Sequence, residues 1–483
     1  MNATSTRTLL AGTSGAFDVP DVAVTGIAYR SDEVRPGDAF FCISGFVHDG
    51  HDFASDAARR GASVLVVERD VQAEGVVVIR VPDTRSALAL ASAAFWGHPS
   101  RGIRVVGVTG TNGKTTTTYL IESMMRAAGH VTGLVGTVET RIADDRYETA
   151  RTTPESADLQ ALFAQMRDAG VTAASMEVSS HAIDLHRVDG VRFAVAAFTN
   201  LTQDHLDYHH TIEEYFAVKR RLFTELDVQS RVVNTDDALG AAMAAELGEV
   251  LEVGLDGEAG VTARQVSLSA VGSDFELVTP DGSCAVHLPL AGAFNVSNAL
   301  VAAGCAYVLG IDVHTMAEGI RSVPQVPGRL EKIDEGQSFG VYVDYAHTPD
   351  SLAKAADAVR SVTAGRVIVV FGCGGDRDPE KRPLMGQAAV AHADYVVLTS
   401  DNPRSEDPVG IILQIEDGAR RGPAPFEVEV DRRKAISRAL GRASEGDAVL
   451  IAGKGHEDYQ IFADRTIRFD DREVAREELM ALC

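Results

Sequence analysis

One segment constrains what this chain can fold into more than any other: Val105-Val-Gly-Val-Thr-Gly-Thr-Asn-Gly-Lys-Thr-Thr-Thr-Thr118. An apolar run of strand length stops at a glycine turn, then continues as a lysine, a threonine run and a helical pattern from Tyr119 to Ala127. Strand, glycine turn and helix in that order build α/β units with parallel sheets. Glycines let backbone N–H groups wrap a phosphate chain, and a helix start adds a favourable field. Lys114 at this place reaches the outer phosphates, and Thr115 can ligate Mg2+. Only Thr111 and Asn112 separate Gly110 from Gly113, so the spacing departs from the strict G-x-x-x-x-G-K-[ST] form. The plain alternative is a glycine turn with a chance lysine; the strand before and the helix after weigh against it.

The same alternation of strand-like and helical patterns runs through nearly all 483 residues, with no internal repeat and no low-complexity tract. It predicts an α/β protein with largely parallel sheets, and ~100–200 residues per domain predicts about three domains. Ala62–Glu68 reads as a buried strand and Arg85–Trp96 as an alanine-rich helix. Gly97-His-Pro-Ser-Arg101 then punctuates the chain and closes a first domain, 1–98. A second domain, 99–324, carries strands at 103–108, 173–178 and 191–198 and a helix opening near Ala293. Val323-Pro-Gln-Val-Pro-Gly328 marks the boundary to a third, 325–483, with strands at 366–372, 395–400 and 447–452. The chemistry-bearing residues fall at the carboxyl ends of such strands, where open parallel sheets bind ligands.

Composition serves mainly to exclude. With 69 acidic and 45 basic residues the net charge is -24, the wrong sign for sequence-independent nucleic-acid binding. It does not exclude an anionic small substrate, which local arginines and helix starts can hold. The cysteines, Cys42, Cys284, Cys305, Cys373 and Cys483, are scattered and form no C-x-x-C; they read as unpaired thiols of a reducing compartment. The first residues lack a charged start followed by a long apolar run, and no stretch reaches ~18 uninterrupted apolar residues. Neither a signal peptide nor a membrane span is expected, and the chain is expected in the cytoplasm.

Two further strand ends carry ligand-type side chains. Glu177 lies in Met176-Glu-Val-Ser-Ser-His181, and His205 in Asn200-Leu-Thr-Gln-Asp-His-Leu-Asp-Tyr-His209. Both can reach a Mg2+ on a nucleotide held at Lys114; the carboxylate suits that hard cation, the imidazole less so. Singly, each is equally a cap or a solvated loop residue. Lys219, in a helical pattern from Glu213, reads on its own as a surface lysine.

Together these segments resemble the Mur ligase family, in particular its members that add the third residue of the peptidoglycan stem peptide. GTNGKTT (110–116), MEVSSH, NLTQDHLDYH, Phe294-Asn-Val-Ser-Asn298, Pro327-Gly-Arg329, Val343-Asp-Tyr-Ala-His-Thr-Pro349, Phe371-Gly-Cys-Gly-Gly-Asp-Arg-Asp378, Asp401-Asn-Pro-Arg404 and Gly453-Lys-Gly-His-Glu457 stand in the family's order across nearly the whole chain. The resemblance implies three domains, with a P-loop-like ATPase domain in the centre and a Rossmann-like domain at the C-terminus. It implies ATP and Mg2+ as cofactors and UDP-N-acetylmuramoyl-L-alanyl-D-glutamate as substrate, whose glutamate carboxylate is phosphorylated and then attacked by an amine. It implies small-molecule partners and a monomer. Gly110, Thr111, Asn112, Gly113, Lys114, Thr115, Thr116, Asn298, Arg329 and Asp344 then bind ATP. Thr115, Glu177, His205 and a carbamylated Lys219 hold metal, with Lys114, Lys219 and His205 as the catalytic set. Thr152, Thr153, Ser179, Arg187 and Ser31 contact the UDP substrate. A Leu185 stands where the family often has a glutamine.

The amino-acid pocket implied by the family comprises Arg377, Asp401, Asn402, Pro403, Arg404, Gly453 and Glu457. Arg404 in the tetrapeptide favours meso-diaminopimelate, because a guanidinium takes a carboxylate by two parallel hydrogen bonds and lysine lacks that far carboxylate. Lysine or ornithine are the alternatives. Glu457 is matched to the far ammonium. Rival readings are a folate-type glutamate ligase, a P-loop NTPase switch or transporter, and a non-catalytic nucleotide-binding module.

Overall fold

The computed structural model describes residues 3–13, 19–149, 151–255 and 258–482. Cys483 lies outside them; Cys42, Cys284, Cys305 and Cys373 are free thiols, as expected. The chain forms two compact units. One takes in Met1–Thr109, Gly129–Ala197 and Ala217–Arg231, the other Gly110–Ala128, Phe198–Phe216 and Val232–Cys483. No helix among the described residues is long and apolar enough to cross a membrane.

The first unit opens with a four-stranded parallel sheet, Gly26–Ala28, Asp38–Phe41, Val64–Val67 and Val77–Arg80 in sequence order. Side chains alternate across it. Phe41, Val64 and Val66 pack with Ala87, Leu88 and Ala91 of the helix Thr84–Phe95, while Phe40, Leu65 and Val67 pack with Ala54 and Ala57 on the other face. Asp83 caps that helix by accepting the N–H groups of Arg85 and Ser86 at 2.8 and 2.9 Å, which moves its start one residue before the expected Arg85. The expected linker 97–101 contains most of a 3₁₀ turn, Pro99–Gly102, whose first two residues are buried.

In the next sheet Ala173–Glu177 pairs in parallel with both Thr132–Val135 and Arg104–Thr109. Arg192–Phe198 and Asp227–Asn234 follow beyond Arg104–Thr109. The end of Asp227–Asn234 enters the second unit and pairs with Leu251–Val253. The antiparallel strands Thr140–Ile142 and Asp145–Tyr147 close the other edge.

In the second unit the helix Lys114–Ala127 packs on Ala293–Val308 and Val313–Arg321. Its Ser123 donates to Gly319 O at 2.7 Å, and a Cβ on Gly319 would strike the Met124 backbone, so only glycine permits this approach. Thr262–Ser269, Gly272–Thr279 and Gly282–Leu288 form a purely antiparallel sheet, an exception to the expected parallel pairing. Its period-two pattern, Phe275 and Leu277 in and Glu276 out, is that of a sheet covered on one face. The last sheet orders Glu331–Lys332, Gly340–Asp344, Ala448–Ala452, Val367–Phe371, Tyr395–Leu398 and Phe426–Val428. All its pairs but the first are parallel, with a helical layer and a separate apolar core on each face. The carboxyl ends of four adjacent strands thus present Asp344, Gly453, Gly372 and Thr399 along one edge.

Candidate functional site

The phosphate loop spans the four residues between Thr109 and the helix Lys114–Ala127. The helix starts five residues earlier than the sequence pattern indicated. The threonine run is helical because it is buried, and Thr118 Oγ1 returns a hydrogen bond to Thr115 O at 2.8 Å. Gly110 and Gly113 hold φ of 147° and 86°. A Cβ on either would strike Thr199 Oγ1 or Asn298 Oδ1 respectively, which puts Asn298 against the loop.

Neighbouring residues that the sequence reading left without a role hold the loop. Asn112 N donates to Asn200 Oδ1 at 3.0 Å, and Asn112 O accepts from Asn200 Nδ2 at 3.0 Å and Thr199 Oγ1 at 2.7 Å. Asn298 donates to Asn295 Oδ1 at 3.1 Å, and Asn295 to Ala291 O at 2.8 Å. Lys114 Nζ donates to Gly110 O at 2.9 Å and Thr111 O at 2.8 Å. Thr116 is buried in the first helical turn.

Arg329 Nη2 reaches Thr115 Oγ1 at 2.9 Å, and its guanidinium lies 4.5 Å from the Tyr345 ring centre. Asp344 accepts from Leu330 N at 2.6 Å and Ala346 N at 2.8 Å. Burial pushes its carboxyl up, against the pull of Arg329 and those two N–H groups. His205 sits in a left-handed turn, φ 55°, and its N–H donates to Asp204 Oδ1 at 2.9 Å. Burial alone would raise Asp204; the cationic field of His205, His347, Lys381 and Lys114 outweighs it and holds the carboxyl down. Asp204 is a further residue that sequence reasoning passed over.

In the first unit Glu177, Thr152, Thr153, Ser179 and Arg187 form one network. Glu177, buried at a strand end, accepts from Thr137 N at 2.7 Å and Thr137 Oγ1 at 3.1 Å. Thr137 Oγ1 also bonds Thr152 Oγ1 at 3.0 Å. Thr153 Oγ1 donates to Glu177 O at 2.8 Å and accepts from Ser179 N at 3.3 Å, and Arg187 Nη1 donates to Thr153 O at 3.3 Å. Behind them Glu155 takes three arginines: Arg151 at 2.7 Å, Arg187 at 3.0 Å and Arg85 at 3.4 Å. Lys219, in the helix Ile212–Thr224, is 1% exposed, so the surface-lysine reading fails. Ser31 opens the turn Ser31–Glu33 beside Asp56. Among the described residues no hydrogen bond joins it to the Glu177 network.

The second unit gathers the remaining set at the edge of its last sheet. Two turns are stitched together: Gly375 N donates to Asn402 O at 2.9 Å, and Arg404 Nη1 to Gly375 O at 2.7 Å. Arg404 itself has φ 52°, and its N–H donates to Ile461 O at 3.0 Å. Pro403 packs on Gly375, and Arg377 is exposed beside Asp376. Beneath them buried Arg382 takes Glu406 bidentately, both bonds at 2.8 Å. Asn402 Nδ2 donates to Glu457 Oε2 at 2.8 Å. Fully buried Arg432 binds Asp471 at 2.6 and 2.8 Å and reaches Ala452 O at 3.0 Å. Gly453 N donates to Asp344 O at 3.1 Å, tying this edge to the Arg329–Asp344 group. Arg382, Glu406, Arg432 and Glu155 lie in ordinary charged patterns, and nothing in the sequence marks them out.

Three family descriptions match in register: "Mur ligase family, catalytic domain" over 23–96, "Mur ligase middle domain" over 108–306 and "Mur ligase, glutamate ligase domain" over 328–455. A UDP-N-acetylmuramoyl-L-alanyl-D-glutamate–2,6-diaminopimelate ligase of Geobacillus thermodenitrificans is 48% identical over 465 residues, 95% of this chain and 94% of that one. The chain belongs to the Mur ligase family. A Mur ligase of the same description from Bacillus licheniformis is 47% identical over 470 residues, 96% of each. A solved structure of that description superposes with a TM-score of 0.72 at 32% identity, covering 100% of this chain and 99% of the other. This Mur ligase therefore has the family's α/β architecture and is an ATP-dependent ligase. The Mycobacterium tuberculosis folylpolyglutamate synthase, at 20% identity, TM-score 0.61 and 77% of this chain, shares the fold.

Proposed function

We propose that this Mur ligase joins meso-diaminopimelate to UDP-N-acetylmuramoyl-L-alanyl-D-glutamate with hydrolysis of ATP to ADP and phosphate. The observation that carries the reading is the convergence of Arg404 and Glu457 in one stitched loop cluster. A guanidinium and a carboxylate there match the far carboxylate and ammonium of the diamino acid. The relatives at 47–48% identity bear the name of that activity.

A carboxylate is a poor electrophile at neutral pH. Transfer of the terminal phosphoryl group to the D-glutamate carboxylate supplies a leaving group, and the amine of the second substrate then displaces phosphate. The protein's work is orientation and charge neutralisation. Gly110–Thr116 and Lys114 bind the phosphates, with Asn298, Arg329 and Asp344 on the nucleotide. Thr152, Thr153, Ser179 and Arg187 take the muramyl dipeptide, and Ser31 the uridine. Arg377, Asp401, Asn402, Pro403, Gly453, Arg404 and Glu457 take the amino acid.

Thr115 and Glu177 offer the hard oxygen donors that suit Mg2+, and the family resemblance adds His205 to the set. Lys219, buried in the helix Ile212–Thr224, stands at the position the family carbamylates, and as a carbamate it would be a further anionic oxygen donor. Bound Mg2+ supplies charge neutralisation of the phosphates. We place the domain divisions at 98/99 and 324/325, the enzyme in the cytoplasm where ATP and reduced thiols are found, and its active form as a monomer.

Phosphate release with ATP, Mg2+ and the UDP-muramyl dipeptide tests the reading, with meso-diaminopimelate and L-lysine offered separately. Release with diaminopimelate alone is expected. Release with lysine alone overturns the role of Arg404, and release with neither overturns the reaction.

A further inference from the structure

The loop cluster that carries Arg404 buries a cation that the reaction as proposed does not use. Lys454 has 0% exposure. Its ammonium lies 3.3 Å from Glu457 Oε2, 3.3 Å from Asn402 Oδ1 and 5.4 Å from the Tyr459 ring centre. Asn402 Nδ2 gives the same Glu457 oxygen a second hydrogen bond at 2.8 Å, and Asn402 is itself held by Ile461 N at 3.0 Å. Both donors fall on Oε2; among the described residues Oε1 accepts none. A carboxylate gripped by one oxygen presents the other in a fixed direction. A buried ammonium is unfavourable unless paired, so Lys454 holds Glu457 as firmly as Glu457 holds it.

We propose that Lys454 is a positioning residue for the incoming amino acid: it keeps Glu457 ionised and turned so that Oε1 receives the substrate's far ammonium. The inference rests on the assignment of Glu457 and Arg404 to the amino-acid pocket. Charge balance around the carboxylate supports it. Asp401 disfavours a negative charge on Glu457, while Lys454, the hydrogen bond from Asn402 and Arg432 favour it. Burial pushes the Glu457 carboxyl up, and Lys454 is the foremost group drawing it back. Without that ammonium more of the enzyme carries a neutral Glu457, which attracts an ammonium only weakly.

The test is steady-state phosphate release by full-length Lys454→Met and Lys454→Arg across pH ~6–9, with the KM for ATP followed in parallel. Lys454→Met is expected to raise the KM for diaminopimelate about tenfold and to move the acid limb of its kcat/KM up by about one pH unit. The KM for ATP stays within about twofold, and Lys454→Arg restores most of the loss. An unmoved acid limb, or equal losses toward ATP and diaminopimelate, would overturn the role. Should Lys454→Met not fold, Glu457→Gln and the double variant Glu457→Gln/Lys454→Met, which leaves no orphaned charge, decide the matter. Equal KM values for diaminopimelate in those two support action through Glu457, and a further loss in the double variant overturns it. Wild-type enzyme inert toward diaminopimelate would instead overturn the pocket assignment, and the inference with it.

Discussion

Arg404 is held in a left-handed turn with one guanidinium nitrogen on Gly375 O, which leaves its other donors for a ligand. Arg404→Ala is expected to raise the KM for diaminopimelate by roughly 10- to 100-fold, the worth of a charged hydrogen-bonded pair, while the KM for ATP changes little; substrate-varied phosphate release measures both. Glu155 makes a second prediction. Glu155→Gln loosens Arg187 and leaves three guanidinium groups without a counter-charge, so the KM for the UDP-muramyl substrate is expected to rise about tenfold. An equal rise for ATP in that assay would mean a general loss of structure. Arg404 was legible in the sequence because it sits in a short, unusual tetrapeptide. Glu155, Arg382 and Arg432 were not, because a lone charge in a helical or loop pattern ordinarily faces water; Lys454 stands in the segment Gly453-Lys-Gly-His-Glu457, but only its burial against Glu457 shows what it pairs with. Only the fold brings Arg382 to Glu406 and Arg432 to Asp471, 24 and 39 residues away in sequence.

At the scale of elements, the strand, loop and helix around Lys114 were readable down to the turn, apart from the helix start. The missed turn contains four threonines, which favour strands when exposed; their burial overrode that preference. Gly113→Ala is expected to cost about 1–3 kcal/mol in backbone strain and to press on Asn298. Calorimetry should find nucleotide affinity reduced at least about tenfold, with the fold retained by circular dichroism. Asp447, ahead of the strand Ala448–Ala452, is held down to about 2 by its hydrogen bond from Arg366. Against ~3.9 in an unfolded chain, the lowered value stabilises the fold above pH ~4, and the contribution disappears as pH falls through about 2. Urea midpoints of Asp447→Asn are therefore expected below wild type at neutral pH and closer to it at pH ~2–3.

Across the whole molecule, the sheets carry separate apolar cores in two compact units. Thermal unfolding is expected in more than one calorimetric transition, and nucleotide at ~100 times its Kd should stabilise the nucleotide-binding part by about 2.7 kcal/mol. A single transition insensitive to ATP would contradict this. The α/β class and the parallel last sheet were legible because their strands are continuous apolar runs, as in Val367–Phe371. The antiparallel sheet at 262–288 was not, because its alternating half-buried residues resemble the polar surface between helices. The fully buried Arg432–Asp471 pair has a consequence for the history of such a chain. Loss of either partner alone strands a charge at a cost of about 3–5 kcal/mol, whereas an apolar pair of similar volume can be neutral. Descendants can leave this arrangement only by two nearly simultaneous substitutions, so drift at positions 432 and 471 is blocked by the intermediate rather than by the destination.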